Sequence, residues 1–396
     1  MTHRMLVSAL PGETRVARLD GDRLVDLAIA RGERAAQAGD LYAGRVAAVD
    51  RGLQAAFVDL GGARPGFLPL GEAPAGLSEG TRLVVRVTRA GAADKGPRLT
   101  ARPGRRPEDF AGPPAGTPAG PPGLLRAADD PVSAALALAP PPEAIVVDDP
   151  ALFARLSAEL AARPALRDAL ALDSDPRPLF ERAGVETLIE DLLQPRVALA
   201  GGGDLLIEPV RSLTAIDVNG GGRDASDRLG LGLEAAAEIA RQIRLRRLSG
   251  LIVVDFVAPR EAAARRRIVA ALDDGLTDDP QPHRVSPMRR SGLVEITRRR
   301  AGPALHEVLT EPCGLGGGGR VKSAATLAFA ALRALRREAA ANPGRQPALV
   351  APPAVIRALT EGPAAAARAA LEERLGLALS LRAGAADAEP EVAFRS

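Results

Sequence analysis

The chain is poor in the residues that most often announce chemistry. Among 396 residues it has one cysteine (Cys313), one tyrosine (Tyr42), three histidines and no tryptophan. A single cysteine excludes an internal disulfide and any multi-thiolate metal site built from one chain, and it is ordinary for a reducing compartment. His283 and His306 are isolated and read as surface or satisfied side chains, and His3 lies at the terminus, so no Ser/His/Asp order or Cys/His pair stands out. No uncharged apolar run reaches the roughly 18 residues of a membrane span. The opening MTHRMLVSALPGETRVARLDGD has no apolar run of signal-peptide length. The expectation is a soluble cytoplasmic protein.

Lysine is equally scarce. Lys95 and Lys322 are the only two, so nearly all of the 52 basic residues are arginine. Guanidinium groups do not deprotonate, which gives a pI near 9.7 although the net charge is only +3. In such a background one arginine says little by itself. What is abundant is apolar residue, 46%, in a chain long enough for two or three domains. The 41 glycines and 34 prolines exceed ordinary use and point to irregular connectors. The densest such run, Arg102 to about Pro142, reads as an extended linker.

Short alternating segments at Arg4–Ala9, Thr14–Leu19, Leu41–Ala48, Ala55–Asp59 and Arg82–Arg89 predict strands, and their spacing suggests a small barrel. After the linker the pattern changes to alternating strands and helices. A strand is expected at Ala144–Val147, a helix at Pro150–Ala162, another from about Arg177 to Leu193, and strands at Arg196–Leu199 and Asp204–Glu208. Leu213–Val218, Leu231–Leu248 and Leu251–Val257 read as a strand, an amphipathic helix and a buried strand, the order of a βαβ crossover. A further helix runs from about Lys322 to Ala341, followed by a small α/β tail.

Asp217 and Asp255 end the two strands of that crossover. If the strands are parallel neighbours, both carboxylates emerge at one sheet edge, where ligands of open α/β sheets collect. Such a pair suits Mg²⁺, which takes a few carboxylates together with water and phosphate oxygens. Asn219 lies on the same strand face as Asp217 and offers a neutral oxygen. The competing reading is plain: Asp217 caps a turn into Gly220–Gly222 and Asp255 merely ends a strand. An acid inside LIVVDFV is costly to bury unpaired, which favours a positive partner.

Three of the nine aromatics, Tyr42, Phe57 and Phe67, fall within one barrel segment. Together with Arg45, Arg51, Arg64, Arg82, Arg86, Arg89 and Lys95 they form either a stacking platform beside phosphate-binding cations or, more simply, the packing of a small core. Arg241, Arg244, Arg246, Arg247, Arg289, Arg290 and Arg298–Arg300 put basic groups in the half that carries the aspartates, where a polyanion would fit or the groups would simply be solvated. An α/β phosphatase or nucleotide-binding enzyme would also explain the aspartates, but not the aromatic barrel.

The series LYAGRV, LQAAFVDLGGARPGFLPL, LFERAGVETLIEDLLQPRVAL, SLTAIDVNGG, LEAAAEIARQIRLRRLSGLIVVDF and SGLVEITRRRAGPALHEVL resembles the ribonuclease E/G family along most of the chain and in the same order. The resemblance implies an α/β multidomain fold. A ribonuclease-H-like domain (1–36 and 143–195) is split by an inserted S1-type OB-fold β-barrel (37–101) and a shortened Pro/Gly-rich remnant of a 5′-sensor (102–142). A deoxyribonuclease-I-like α/β domain (196–310), a degenerate zinc-link (311–320) and a small C-terminal α/β domain (321–396) follow.

It further implies an endoribonuclease that hydrolyses single-stranded RNA in the processing and decay of ribosomal or messenger RNA. Asp217 and Asp255 would hold Mg²⁺, with Asn219 assisting, and Phe57, Phe67 and Lys95, joined by Tyr42, Arg45 and Arg64, would hold RNA. The alternative within the same resemblance is a catalytically weak RNA-binding protein that keeps the barrel. Three departures stand out. The sensor's Arg-Thr pair is Arg126-Ala127 here, which argues against stimulation by a 5′-monophosphate. Cys313-Gly314-Leu315-Gly316 replaces C-x-x-C, so Cys313 is a lone remnant, no zinc site is expected, and any homodimer forms without a zinc link. Gly232 and Ala258-Pro259 replace polar residues, with a consequence expected for substrate grip.

Overall fold

The computed structural model describes residues 3–31, 36, 38–62, 64–91, 95–102, 120–126, 131–224, 227–300, 302–313, 319–343, 345–376 and 378–395. Ala127, residues 314–316 and most of the predicted linker lie outside them. The chain forms two units. One comprises Met1–Glu33, Pro131–Arg299 and Pro303–Ser396, and the other Arg34–Asp130 with Arg300–Gly302.

In the first unit, strands His3–Leu10, Glu13–Asp20 and Arg23–Arg31 run antiparallel in succession. Ala144–Val147 then pairs parallel with His3–Leu10, and Leu170–Leu172 pairs parallel with Ala144–Val147. The early strands therefore build an open sheet and take no part in a barrel. Strand Arg23–Arg31 was not expected because RLVDLAIAR lacks clean alternation, and the reason is that both faces of this sheet are covered. Leu19, Leu24 and Leu27 pack with Phe180, Ile189 and Leu245 on one side, while Met5, Val16 and Ile145 pack with Leu156 and Leu160 on the other. The expected helix over 177–193 is two helices, Leu179–Arg182 and Val185–Leu193. Gly184, at φ 71°, breaks the run in a left-handed conformation that glycine adopts without strain.

The second sheet of this unit has the order Arg196–Ala198, Asp204–Pro209, Thr214–Asn219, Gly250–Asp255, Leu293–Arg298, His283–Val285. Its one parallel pairing joins Thr214–Asn219 to Gly250–Asp255. Helix Arg228–Leu245 makes the crossover between them, started by Asp227, whose carboxylate accepts from the Gly230 N–H at 3.1 Å. That helix and Ala262–Gly275 cover one face, burying Ile216, Val218, Ile252, Val254, Ile239 and Ile268 among others. Each fully buried side chain of this kind contributes about 1.5–3 kcal/mol.

Gly232 belongs to this packing. A Cβ there would lie 2.3 Å from Ile268 Cδ1, so the residue lets two helices approach and does not face a substrate, which corrects its expected role in grip. Four of the arginines expected near a polyanion, Arg241, Arg244, Arg246 and Arg298, are structural, whereas Arg289, Arg290, Arg299 and Arg300 are exposed. Arg241 binds Glu238 and the Leu24 carbonyl, Arg244 reaches the Val25 carbonyl, and Arg246 is bonded to Gln242. Arg298 is locked by Asp279 at 2.6 and 2.9 Å. Half-buried Asp26 has its carboxyl pushed up by desolvation, with Arg247 and Arg244 opposing the shift.

A short hairpin, Thr310–Pro312 with Arg320–Lys322, leads into helix Ala324–Ala341, capped by Ser323, whose hydroxyl accepts from the Thr326 N–H. Strand Gln346–Ala351 then stands between Ser380–Ala383 and Glu391–Arg395, packed by helices Pro353–Thr360 and Ala365–Leu375.

The second unit is a closed barrel of five strands, in the order Ala55–Asp59, Gly66–Pro69, Arg98–Thr100, Arg82–Arg89, Leu41–Asp50. Closure comes from Leu41–Asp50, which pairs with Arg82–Arg89 through its first half and with Ala55–Asp59 through its second. Gly123–Arg126 adds a sixth strand against Leu41–Ala43. Val46, Ala56, Val58, Leu68, Val85 and Leu99 fill the interior. Overall the chain is a mixed α/β protein with a barrel.

Candidate functional site

Alternation along Thr214–Asn219 sends Ile216 and Val218 into the helix-covered core and leaves Asp217 and Asn219 exposed on the other face. Gly250–Asp255 repeats the pattern, with Val254 buried and Asp255 exposed. The register then matters: Asp217 and Asp255 are direct cross-strand partners in the parallel pairing. Adjacent strands lie about 4.8 Å apart, so the two carboxylates stand side by side. Neither makes a hydrogen bond or ion pair with another described residue. Two uncommitted hard-oxygen donors beside each other are a donor set that fits Mg²⁺, and a carboxamide oxygen from Asn219 would be of the same kind. No group of three or more His, Cys, Asp or Glu able to hold a metal occurs among the described residues.

Two residues of this site were missed in the sequence. Asp204 pairs in register with Asn219, and its Oδ1 accepts from Asn219 Nδ2 at 3.5 Å, while Arg196 holds its other oxygen at 3.3 Å. A carboxylate only accepts, so the amide turns its N–H₂ to Asp204 and leaves Oδ1 free. The alternation of Asp204, Leu206 and Glu208 against buried Leu205 and Ile207 was the available signal. Gly292, at φ 102°, follows a turn that brings it against the second aspartate strand. A Cβ there would sit 2.1 Å from the Phe256 carbonyl and 3.2 Å from Asp255 Oδ1. Nothing in the local sequence announces it, because the contact depends on the pairing of Asp255 with Leu293.

On the barrel, Phe57 and Phe67 are opposite each other on neighbouring strands, half-buried, with centroids 6.2 Å apart and planes at 76°. Register continues the row: Ala48 flanks Phe57, Arg98 flanks Phe67, and Arg89 lies beyond Arg98. Exposed Arg98, which reaches Glu72 at 3.5 Å, was not expected at this place. Arg45, Arg64 and Lys95 are exposed. Lys95 precedes Gly96, which lies so close to the Pro65 carbonyl that a Cβ would be 1.9 Å from it. Tyr42 is a correction: it is only 8% exposed and belongs to the apolar interior, so its ring offers no stacking face. Beside Phe57 opens a groove of about 610 Å³, with Ala48, Val49 and Leu77 on its apolar side and Asp50, Arg51, Ser78 and Glu79 on its polar side.

Cys313 follows the hairpin strand Thr310–Pro312 and donates its N–H to the Gly319 carbonyl at 2.8 Å. It is a free thiol. Among the described residues no helix is long and apolar enough to cross a membrane.

The chain is similar to known proteins. The Ribonuclease E/G family model matches residues 120–301, which include both aspartate strands. Ribonuclease E of Haemophilus influenzae is 28% identical over 85% of this chain and 46% of its own length. Ribonuclease G of the same organism is 36% identical over 44% of this chain and 37% of its own length. Ribonuclease G of Escherichia coli is 28% identical over 91% of this chain and 92% of its own. The chain thus spans less than half of the ribonuclease E relative and nearly all of the Escherichia coli ribonuclease G. On these matches the chain is similar to the ribonuclease E/G family, most clearly over residues 120–301.

Proposed function

We propose that this protein is a Mg²⁺-dependent endoribonuclease of the cytoplasm that hydrolyses phosphodiester bonds of single-stranded RNA in RNA processing and decay. The observation that carries this reading is the pair Asp217 and Asp255, in register, exposed and uncommitted at the ends of two parallel strands, within the residues that match the Ribonuclease E/G family model. Asp217 and Asp255 would hold the cation, which supplies Lewis acidity and charge neutralisation at the scissile phosphate. Asn219, its amide sense set by Asp204, presents an acceptor oxygen that can hold the proton of an attacking water and orient it. Gly292 keeps the second aspartate strand close to its neighbour.

The same reading assigns the folds. The sheet of three antiparallel strands with two parallel additions supports a ribonuclease-H-like domain split by the barrel. The βαβ-containing sheet supports a deoxyribonuclease-I-like catalytic domain. The closed five-strand barrel is compatible with an S1-type OB fold, where Phe57 and Phe67 would stack on bases and Arg45, Arg64 and Lys95 would meet phosphates. With one thiol per chain at Cys313, any homodimer forms without a zinc link.

The test is cleavage of an end-labelled single-stranded RNA oligonucleotide. Internal cuts with Mg²⁺ that disappear with EDTA are the expected result, with little gain from a 5′-monophosphate. Binding without cutting under any divalent cation would leave an RNA-binding protein instead.

A further inference from the structure

The row of side chains across the barrel is asymmetric. At one end, beyond Phe67, stand Arg98 and Arg89; at the other, beyond Phe57, lies the groove bordered by Asp50 and Glu79 together with Arg51 and Ser78. A phosphodiester chain is drawn to the first end, whereas at the second two carboxylates face a single guanidinium and give a phosphate no net attraction. The groove volume, about 610 Å³, falls in the range of small-molecule sites. An apolar floor of Ala48, Val49 and Leu77 beside an aromatic ring, two carboxylates and the donors of Arg51 and Ser78 suits a flat, uncharged group that carries N–H donors next to a carbonyl acceptor. A nucleobase meets that description, and a phosphate does not.

The acceptors choose among the bases. A carboxylate offers two oxygens and no donor. Guanine presents N1–H and the N2 amino group side by side, so both oxygens are used, as in other bidentate pairs. Uracil has one N–H between two carbonyl oxygens, which a carboxylate repels, and adenine and cytosine each set an amino group beside an acceptor nitrogen. Of the two carboxylates, Asp50 is partly committed, because its Oδ1 accepts from the Leu53 N–H at 2.9 Å and holds that turn. Glu79 has no hydrogen bond or ion pair with another described residue. We propose that the groove beside Phe57 is a base-reading subsite that accepts guanine from single-stranded RNA, with Glu79 as the reading group. It rests on the reading of the barrel as the RNA-holding part.

The test uses the full chain in EDTA, so that nothing is cut, and fluorescence anisotropy with three labelled oligonucleotides: all-uridine, uridine with one guanosine, and uridine with one inosine, which lacks the N2 amino group. Guanosine is expected to bind about fivefold or more tighter than inosine. Glu79→Ala should abolish that preference while all-uridine binding is unchanged. The proposal is overturned if the preference survives in Glu79→Ala, or if that variant tightens all three oligonucleotides equally, which would show general charge repulsion only. Phe57→Ala separates the layers. It should weaken all three by about fivefold to a hundredfold. If it does so while guanosine has no advantage in the unmodified protein, the subsite alone falls. If it changes nothing, the barrel reading falls and the subsite with it.

Discussion

Two parallel strand pairs in the first unit end in aspartate, and they have opposite fates. Asp148 follows Ala144–Val147, whose neighbour is His3–Leu10; Asp255 ends Gly250–Asp255, whose neighbour is Thr214–Asn219. Asp148 is 2% exposed and fully engaged. It accepts from Ser8 Oγ at 2.9 Å and from the Ala9 N–H at 2.8 Å, and it faces Arg336 at 3.5 Å. Desolvation pushes its carboxyl above the ordinary range, opposed by the Ala9 N–H and Arg336. Asp255 is exposed, and beside it stands Asp217 instead of a cation or a donor. Position at the end of a parallel strand is therefore common to a structural acid and to the acid proposed to be functional. The difference is whether the fold has already spent the charge.

The sharpest way to break this comparison is to neutralise each acid in turn. Asp217→Asn should lower cleavage by at least about a thousandfold, the scale of several kcal/mol lost at a metal site, with unchanged thermal unfolding. Asp148→Ala should do the reverse. It strands Arg336 in a buried setting and should destabilise the chain by about 3 kcal/mol in denaturant unfolding, while the cleavage rate of the folded fraction holds. A large loss of turnover in that variant at full stability would place Asp148 in the chemistry.

Much of the site was legible because alternation is local. Ile216 and Val218 against Asp217 and Asn219, with a helix and then LIVVDFV, identify the strands, their faces and their parallel pairing. What was not legible depends on partners brought from a distance. Arg246 and Arg298 look like other arginines until Gln242 and Asp279 are found against them. Tyr42 looks like a platform aromatic until the barrel closes around it. Asp204 gains meaning only from the register that sets it across from Asn219. Strand Arg23–Arg31 is hidden because a sheet buried on both faces has no polar side to alternate with.

A smaller perturbation sharpens the account without touching a charge. Gly292→Ala must relieve a Cβ placed 2.1 Å from the Phe256 carbonyl, in a backbone conformation that alanine resists. Movement of the Asp255 strand by a fraction of an ångström should cost up to about a hundredfold in cleavage. The check is a kcat that falls while RNA affinity in EDTA is retained; unchanged kcat would remove Gly292 from the site's support.

The mildest effect is a pH dependence of the engaged side of the comparison. Glu186 feels desolvation, which raises its pKa, but the two bonds from Arg15 at 2.7 and 2.9 Å outweigh it and hold the carboxyl below the ordinary glutamate range. A depressed folded pKa contributes stability that is present above the unfolded value and is lost as pH falls through the folded one. Denaturant midpoints should therefore decline on acidification below the ordinary glutamate pKa, and Glu186→Gln should flatten that part of the curve. An equal decline in the variant would assign the acid sensitivity to other carboxylates.

The central claim is that the uncommitted pair performs the chemistry, and cleavage of a single-stranded RNA oligonucleotide by Asp255→Asn in Mg²⁺ tests it most directly. The account predicts no detectable cutting by a variant that unfolds like the unmodified protein and still binds RNA. Cleavage at the unmodified rate would contradict it.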